Sequence, residues 1–198
     1  MKGILRTAAG YSSLQNLLGS SRSCAVLVKD YIQARPGDRV LDLGCGTSEI
    51  LRWLPSVDYT GLDLPGPLFE AARKRFAAKA KYKSVDFREP FMVEPGVYDR
   101  VLALGLLHHL DDEAGSRVLF AAHQALKPGG ILVTMDGCFM KGQNWIARKL
   151  LEMDRGRYIR TPDKYLALTM PYFSKVRSEI RKDILRVPYT HWVMRLEK

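Results

Sequence analysis

Cysteine is scarce in this chain, and what there is cannot build a framework. Cys24, Cys45 and Cys138 are odd in number and scattered, which excludes a disulfide scaffold and any zinc-finger spacing and points to a reducing, cytoplasmic setting. No metal site is expected. Long apolar runs are also missing: nothing approaches the ~20 residues that span a bilayer. Repeats, low-complexity tracts and linkers are absent, so the 198 residues read as one domain, 1–198, long enough to bury a core without staples. Acidic residues are lacking before Asp30, where Lys2, Arg6, Arg22 and Lys29 stand among serines. That bias superficially resembles an organelle transit peptide; the plainer reading of residues 1–35 is a mobile lid followed by a helix.

Positive charge is plentiful, and it is uneven. The net charge is +10, and from Cys138 onward 14 Lys and Arg face 6 Asp and Glu. An acidic partner is one reading: an anionic small molecule, a membrane surface or nucleic acid. A solvated basic surface is the other.

Apolar runs alternate with helical patterns. Strands are expected at Arg39–Leu43, Val57–Leu62, Lys81–Asp86, Tyr98–Leu104 and Ile131–Met135. Helices are expected at Ser23–Ala34, Thr47–Leu54, Leu68–Ala80, from a cap at Asp111 or Asp112 to Leu126, and at Gln143–Leu151, with another starting at Thr161-Pro162-Asp163. Val176–Arg186 and Thr190–Leu196 read as two strands joined by Val187-Pro188-Tyr189. So tight a joint makes them antiparallel neighbours. The whole is an α/β chain: a doubly wound, Rossmann-like, mostly parallel sheet with an antiparallel last strand. Residues 137–160 read as an insertion over a substrate site.

The most informative stretch is Arg39-Val40-Leu41-Asp42-Leu43-Gly44-Cys45-Gly46-Thr47, a buried strand running into a glycine turn. Such a turn lets backbone approach a ligand, and the helix behind it offers free N–H groups. Asp63 follows Gly44 by 19 residues, at the end of the next strand, where a carboxylate can take both hydroxyls of a ribose. The dinucleotide fingerprint wants glycine at the sixth place from Gly44. Glu49 stands there, and its charge beside a pyrophosphate disfavours NAD.

With these blocks the chain resembles the class I S-adenosylmethionine-dependent methyltransferases, especially the small-molecule group that includes ubiquinone- and menaquinone-biosynthesis-type enzymes. Gly61-Leu62-Asp63, Val85-Asp86-Phe87, Tyr98-Asp99-Arg100-Val101 through Leu107-His108-His109-Leu110, and Leu126-Lys127-Pro128-Gly129-Gly130 carry the likeness in family order. The resemblance implies a seven-stranded sheet with the seventh strand inserted antiparallel. It also implies S-adenosylmethionine as cofactor, with S-adenosylhomocysteine as product. By the same likeness Gly44 and Gly46 line the methionine and adenosine, Asp42 lies near the methionine amine, Asp63 with Leu64 takes the ribose, Asp86 and Phe87 meet the adenine, and Leu104 lies near the methionine. Ser48 stands where the family usually has a third small glycine.

His108 and His109 follow the fourth strand, at the edge where open α/β sheets bind ligands. Either could serve as general base or simply orient the loop; His191 reads as structural. Tyr11, Trp145, Arg148, Arg157 and Tyr158, with Lys149 and Arg155 nearby, are the candidates for gripping an anionic or amphiphilic small-molecule acceptor, although Trp145, Leu150 and Leu151 also suit plain packing on the sheet. An RNA methyltransferase is the alternative that the basic last third suggests. Against it, Leu104-Gly105-Leu106-Leu107 lacks the Asn/Asp-Pro-Pro-aromatic signature, no Pro-Cys nucleophile appears, and no nucleic-acid partner is expected. A non-catalytic subunit that binds S-adenosylmethionine is a third reading. The acceptor atom is left open, as is the choice between monomer and homodimer.

Overall fold

The computed structural model describes residues 20–198; Tyr11 and the rest of the N-terminal segment lie outside the described residues. The chain runs from α1 (Ser20–Val26), prolonged by a wider π turn over Leu27–Ile32, into β1 (Arg39–Leu43). Then come β2 (Asp58–Asp63), α2 (Pro67–Arg75), β3 (Ala80–Ser84), β4 (Tyr98–Leu104), α3 (Asp112–Ala125) and β5 (Leu126–Gly137). The last elements are α4 (Trp145–Glu152), α5 (Pro162–Thr169), β6 (Lys175–Arg181) and β7 (His191–Glu197).

Seven strands form one sheet in the order β3-β2-β1-β4-β5-β7-β6. The first five pair in parallel, and β7 runs antiparallel to both β5 and β6. The expected antiparallel insertion is therefore present. β6 is shorter than expected, ending at Arg181, while β7 keeps the expected length and is shifted by one residue to His191–Glu197. Ile184 explains the longer connection: its side chain is fully buried and its carbonyl accepts from the Ser23 hydroxyl at 3.2 Å, pulling the segment off the sheet toward α1.

Alternation along the central strands feeds two cores. Leu41, Leu43, Val101, Ala103 and Leu132 face one side, where Ala114, Val118, Leu119, Ala122 and Ala125 of α3 cover them. Val40, Leu102, Ile131 and Val133 face the other, covered by Leu27, Tyr31, Ile32, Ile50 and Ile184. Strands buried on both faces need such near-continuous apolar runs.

Three expected boundaries moved. No α-helix forms over Thr47–Leu54; a single 3₁₀ turn, Glu49–Arg52, stands there because Ser48 adopts a left-handed conformation (φ 51°) that breaks helical geometry at the outset. The helix expected to Ala80 stops at Arg75, and Ala80 already pairs with Tyr59 as the start of β3. Strand β5 begins at Leu126, paired with Tyr98, before the register shifts to Arg100 opposite Ile131. Asp111 is the cap of α3, its carboxylate accepting from Ala114 N–H at 2.8 Å.

Leu102 is fully buried in β4 between β1 and β5. Replacing it with alanine should cost about 2–5 kcal/mol, read as a fall of several degrees in Tm by thermal unfolding.

Candidate functional site

The carboxyl ends of β1, β2, β4 and β5 lie along one edge because those strands run parallel. At that edge Gly44 and Gly46 take positive φ (74° and 51°) and wrap the chain around the end of β2. Gly44 and Cys45 N–H both donate to Leu62 O, at 2.8 and 3.0 Å. Asp63 completes the turn: its carboxylate accepts from Gly46 N–H at 2.6 Å and from Leu64 N–H at 2.7 Å. Burial raises the Asp63 pKa, against the pull of those two N–H groups. Gly61 is needed beneath, since a Cβ there would stand 2.9 Å from Cys45 Sγ.

Asp42 sits under the turn, buried, with Tyr59 hydroxyl donating to it at 2.5 Å. Burial pushes its pKa up to about 7, although the Tyr59 bond opposes the shift and the charge of Asp63 adds to it. Ser48, in the place of the third glycine, is buried in the left-handed region, with its hydroxyl beside the Cys45 thiol and the Tyr59 and Tyr82 hydroxyls.

The adenine candidates are less open. Asp86 is clasped by its neighbour Arg88, whose Nη2 and Nε donate at 2.6 and 2.8 Å and whose backbone N–H donates at 3.0 Å. These bonds hold the Asp86 pKa down at about 2. Phe87 is buried, edge-on to Phe91 at 5.2 Å between centroids. Leu64 is exposed beyond Asp63, and Leu104 is half-buried at the end of β4.

Past β4, His108 is buried between two carboxylates. Its Nδ1 lies 2.8 Å from Asp136 Oδ1, which also accepts from the His108 backbone N–H at 3.1 Å, and its Nε2 faces Asp154 at 3.6 Å. Burial works to lower the His108 pKa, yet the bond and charge of Asp136, with the charge of Asp154, outweigh it and the net shift is upward. His109 lies exposed with its ring 4.1 Å from that of His108. Partial desolvation and the charge of His108 lower its pKa. His191 is buried against Tyr189, and burial lowers it to about 4.

The segment after β5 closes on these groups. Tyr158 N–H donates to His108 O at 2.9 Å, and Tyr189 hydroxyl donates to Asp154 at 2.9 Å. Buried Arg160 donates to the carbonyls of Leu107, Leu110 and Tyr158 at 2.7–3.0 Å and to Asp112. It thereby pins the histidine turn from below. Of the substrate candidates, Tyr158 and Arg157 therefore sit next to the His108 turn. Arg148 is engaged by Glu152 and lies over the Phe139 ring, while Trp145 points away from the protein, 76 % exposed. Packing on the sheet thus accounts for Leu151, not for Trp145. Asp136, Asp154, Arg160, Tyr59 and Tyr189 went unmarked in the sequence. Asp136 carried a signal all the same, standing one residue from the end of its strand much as Asp63 ends β2. Among the described residues no cluster of His, Cys, Asp or Glu could hold a metal ion.

Two variants test the turn. Asp42 has a raised folded pKa, so between about 4 and 7 the unfolded chain ionises while the folded chain holds its proton, and stability falls as pH rises through that window. Asp42→Asn should therefore raise Tm at pH 8, with the gain vanishing below pH 4. Ser48→Gly relieves a left-handed residue worth about 1–2 kcal/mol, so its Tm should rise by a few degrees.

Residues 40–130 match the methyltransferase domain family. The ubiquinone biosynthesis O-methyltransferase of Xanthomonas campestris pv. campestris is 33% identical over 112 residues, 52% of this chain and 46% of the relative. The probable tRNA methyltransferase 9B of Mus musculus is 32% identical over 108 residues, 54% of this chain and 23% of the relative. The chain thus spans less than half the length of these curated relatives. In fold it is similar to Haemonchus contortus phosphoethanolamine N-methyltransferase 2 solved with S-adenosyl-L-methionine, at a TM-score of 0.76 and 17% identity over 98% of this chain and 57% of that one. A Methanosarcina mazei S-adenosylmethionine-dependent methyltransferase gives 0.66 at 18% identity, covering 87% and 96%. Residues 40–130, which hold the glycine turn and its strand-end carboxylate, are thus similar to the methyltransferase domain family, and the sheet with its antiparallel seventh strand has the fold of solved S-adenosylmethionine-dependent methyltransferases.

Proposed function

We propose that this chain transfers the methyl group of S-adenosylmethionine to a small-molecule acceptor at the edge bounded by the glycine turn and the histidine pair. The observation that carries the reading is the junction of Gly44 and Gly46 with Asp63. The residues fit the cofactor. Among the described residues a Cβ at Gly46 would meet nothing within 4 Å, and the half-buried Asp63 carboxylate stands beside the turn. In this assignment Asp63 takes the ribose hydroxyls, exchanging its bond to Gly46 N–H for them. Asp42 supports the turn from beneath, bonded to Tyr59. Asp86 would reach an adenine amino group only by sharing its carboxylate with Arg88.

When bound, the cofactor supplies a methyl made electrophilic by its sulfonium, so the protein's share is alignment and exclusion of water, worth roughly 7–11 kcal/mol in well-oriented systems. The two histidines divide the work. His108, raised in pKa by the bond and charge of Asp136 and the charge of Asp154, fixes the turn. His109, lowered in pKa and exposed, is the neutral imidazole able to take a proton from an alcohol, phenol or amine. Arg157 and Tyr158, beside the His108 carbonyl, are assigned to the acceptor's anionic end, with residues 137–160 as the cover over it. The tRNA methyltransferase relative and the basic last third support RNA as the second reading of the acceptor.

Calorimetric titration should show micromolar binding of S-adenosylhomocysteine, weakened by Asp63→Ala, with no binding of NAD. Transfer of labelled methyl to phenolic or amine acceptors but not to tRNA supports the small-molecule reading; transfer to tRNA alone overturns it. On a methylated acceptor, His109→Ala should lower kcat about 10²–10⁴-fold with little change in cofactor affinity.

The raised His108 pKa has a sign that can be read. Its stabilisation is complete below the unfolded value near 6.5 and is lost as pH rises through the higher folded pKa. The Tm gap between the native chain and His108→Gln should therefore be wider at pH 6 than at pH 9.

A further inference from the structure

The outward face of α4 carries large apolar side chains that nothing in the described protein covers. Trp145 and Met153 are 76 % and 70 % exposed, with Ile146 beside them, while Ala147 and Leu151 fill the inward face. Positions 145, 149 and 153 follow one another along a helical ridge, so Lys149 stands between Trp145 and Met153. Around them, Lys141, Arg148, Arg155 and Arg157 are exposed as well, and Glu152 is the one exposed carboxylate within residues 139–159. Glu152 is shared by Arg148 at 3.1 Å and Lys149 at 3.6 Å. Asp154 is turned inward, to Tyr189 and Gly156 N–H. Among the described residues Lys141, Arg155 and Arg157 make no ion pair. A cluster of protruding apolar groups rimmed by cations is a contact surface, unlike apolar residues scattered singly.

We infer that this face docks on an anionic lipid surface, with Trp145, Ile146 and Met153 seated at headgroup level and the surrounding cations meeting lipid phosphates. Indole and thioether chains with interleaved Lys and Arg match the amphipathic character of a bilayer interface. A nucleic-acid backbone would use the cations but offers no apolar bed for Ile146 and Met153. A second copy of the chain would bring like charges against one another across the ridge. The face is tied to the histidine edge by the Tyr158–His108 bond, so docking sets that edge next to the bilayer. The inference does not depend on the methyltransferase reading.

The test uses the full chain and vesicles of phosphatidylcholine, alone or mixed with phosphatidylglycerol. Sedimentation with the mixed vesicles, weakened by added salt, and little binding to phosphatidylcholine alone is the expected result. Trp145→Ser combined with Met153→Ser should lower the partition coefficient about tenfold or more, and Lys141→Glu with Lys149→Glu should do so for the mixed vesicles. Both pairs lie on the exposed face, and an unchanged Tm checks that they fold. Failure of the native chain to sediment with the mixed vesicles overturns the inference, as does equal binding by the double serine variant. Binding of tRNA without vesicle binding would assign the face to nucleic acid, and dimerisation lost in the serine variant without vesicle binding would assign it to a second copy; either result also overturns it.

Discussion

Parallel pairing of β1, β2, β4 and β5 is the constraint on which the rest depends. Strands that run the same way end at the same edge, so the turn after β1, the carboxylate ending β2, the histidines after β4 and the carboxylate near the end of β5 come to that edge without any of them being near in sequence. Each strand must then be buried on both faces, and the two apolar cores supply that. The antiparallel β7, placed between β5 and the outer strand β6, carries His191 and Trp192 up to the same edge.

At that edge the protein handles polar groups in two ways. The glycine turn satisfies its freed N–H groups with Leu62 O and the Asp63 carboxylate, so the carboxylate proposed to take the ribose also holds the turn. The histidine turn is held by charge instead. Arg160 takes its carbonyls from below while Asp136 and Asp154 flank His108. Arg160 is paired with Asp112 and His108 lies between Asp136 and Asp154, so each basic group here has a carboxylate beside it, as burial of charge requires. The exposed cations nearby are what remains of the basic excess, turned outward on α4 and the loop after it.

Much of the fold was legible because its signals are local. The runs Arg39–Leu43 and Tyr98–Leu104 appear as strands with the expected bounds, and Asp111 caps α3 as its position before the apolar pattern suggested. The helix expected after the glycine turn failed for a local reason that pattern alone hides, the left-handed Ser48. At the candidate site the glycines, Asp42, Asp63 and the histidine pair stood out as residue types in telling places. Their partners did not, because Tyr59 under Asp42, Asp136 and Asp154 about His108, and Arg160 beneath the turn are contacts between distant parts of the chain.

The sequence by itself determined the class of the fold, the order of its strands and helices, and the place of the glycine turn and its carboxylate. These depend on periodicity and short spacings that act within a few residues. Tertiary structure alone decided the surroundings. Of two neighbouring histidines, one has its pKa raised and the other lowered, because only His108 lies between Asp136 and Asp154. Trp145, apolar enough to be packed, faces outward because Ala147 and Leu151 already occupy the inward side of its helix. Burial and charge are properties of what surrounds a residue, and those surroundings exist only once the chain has closed.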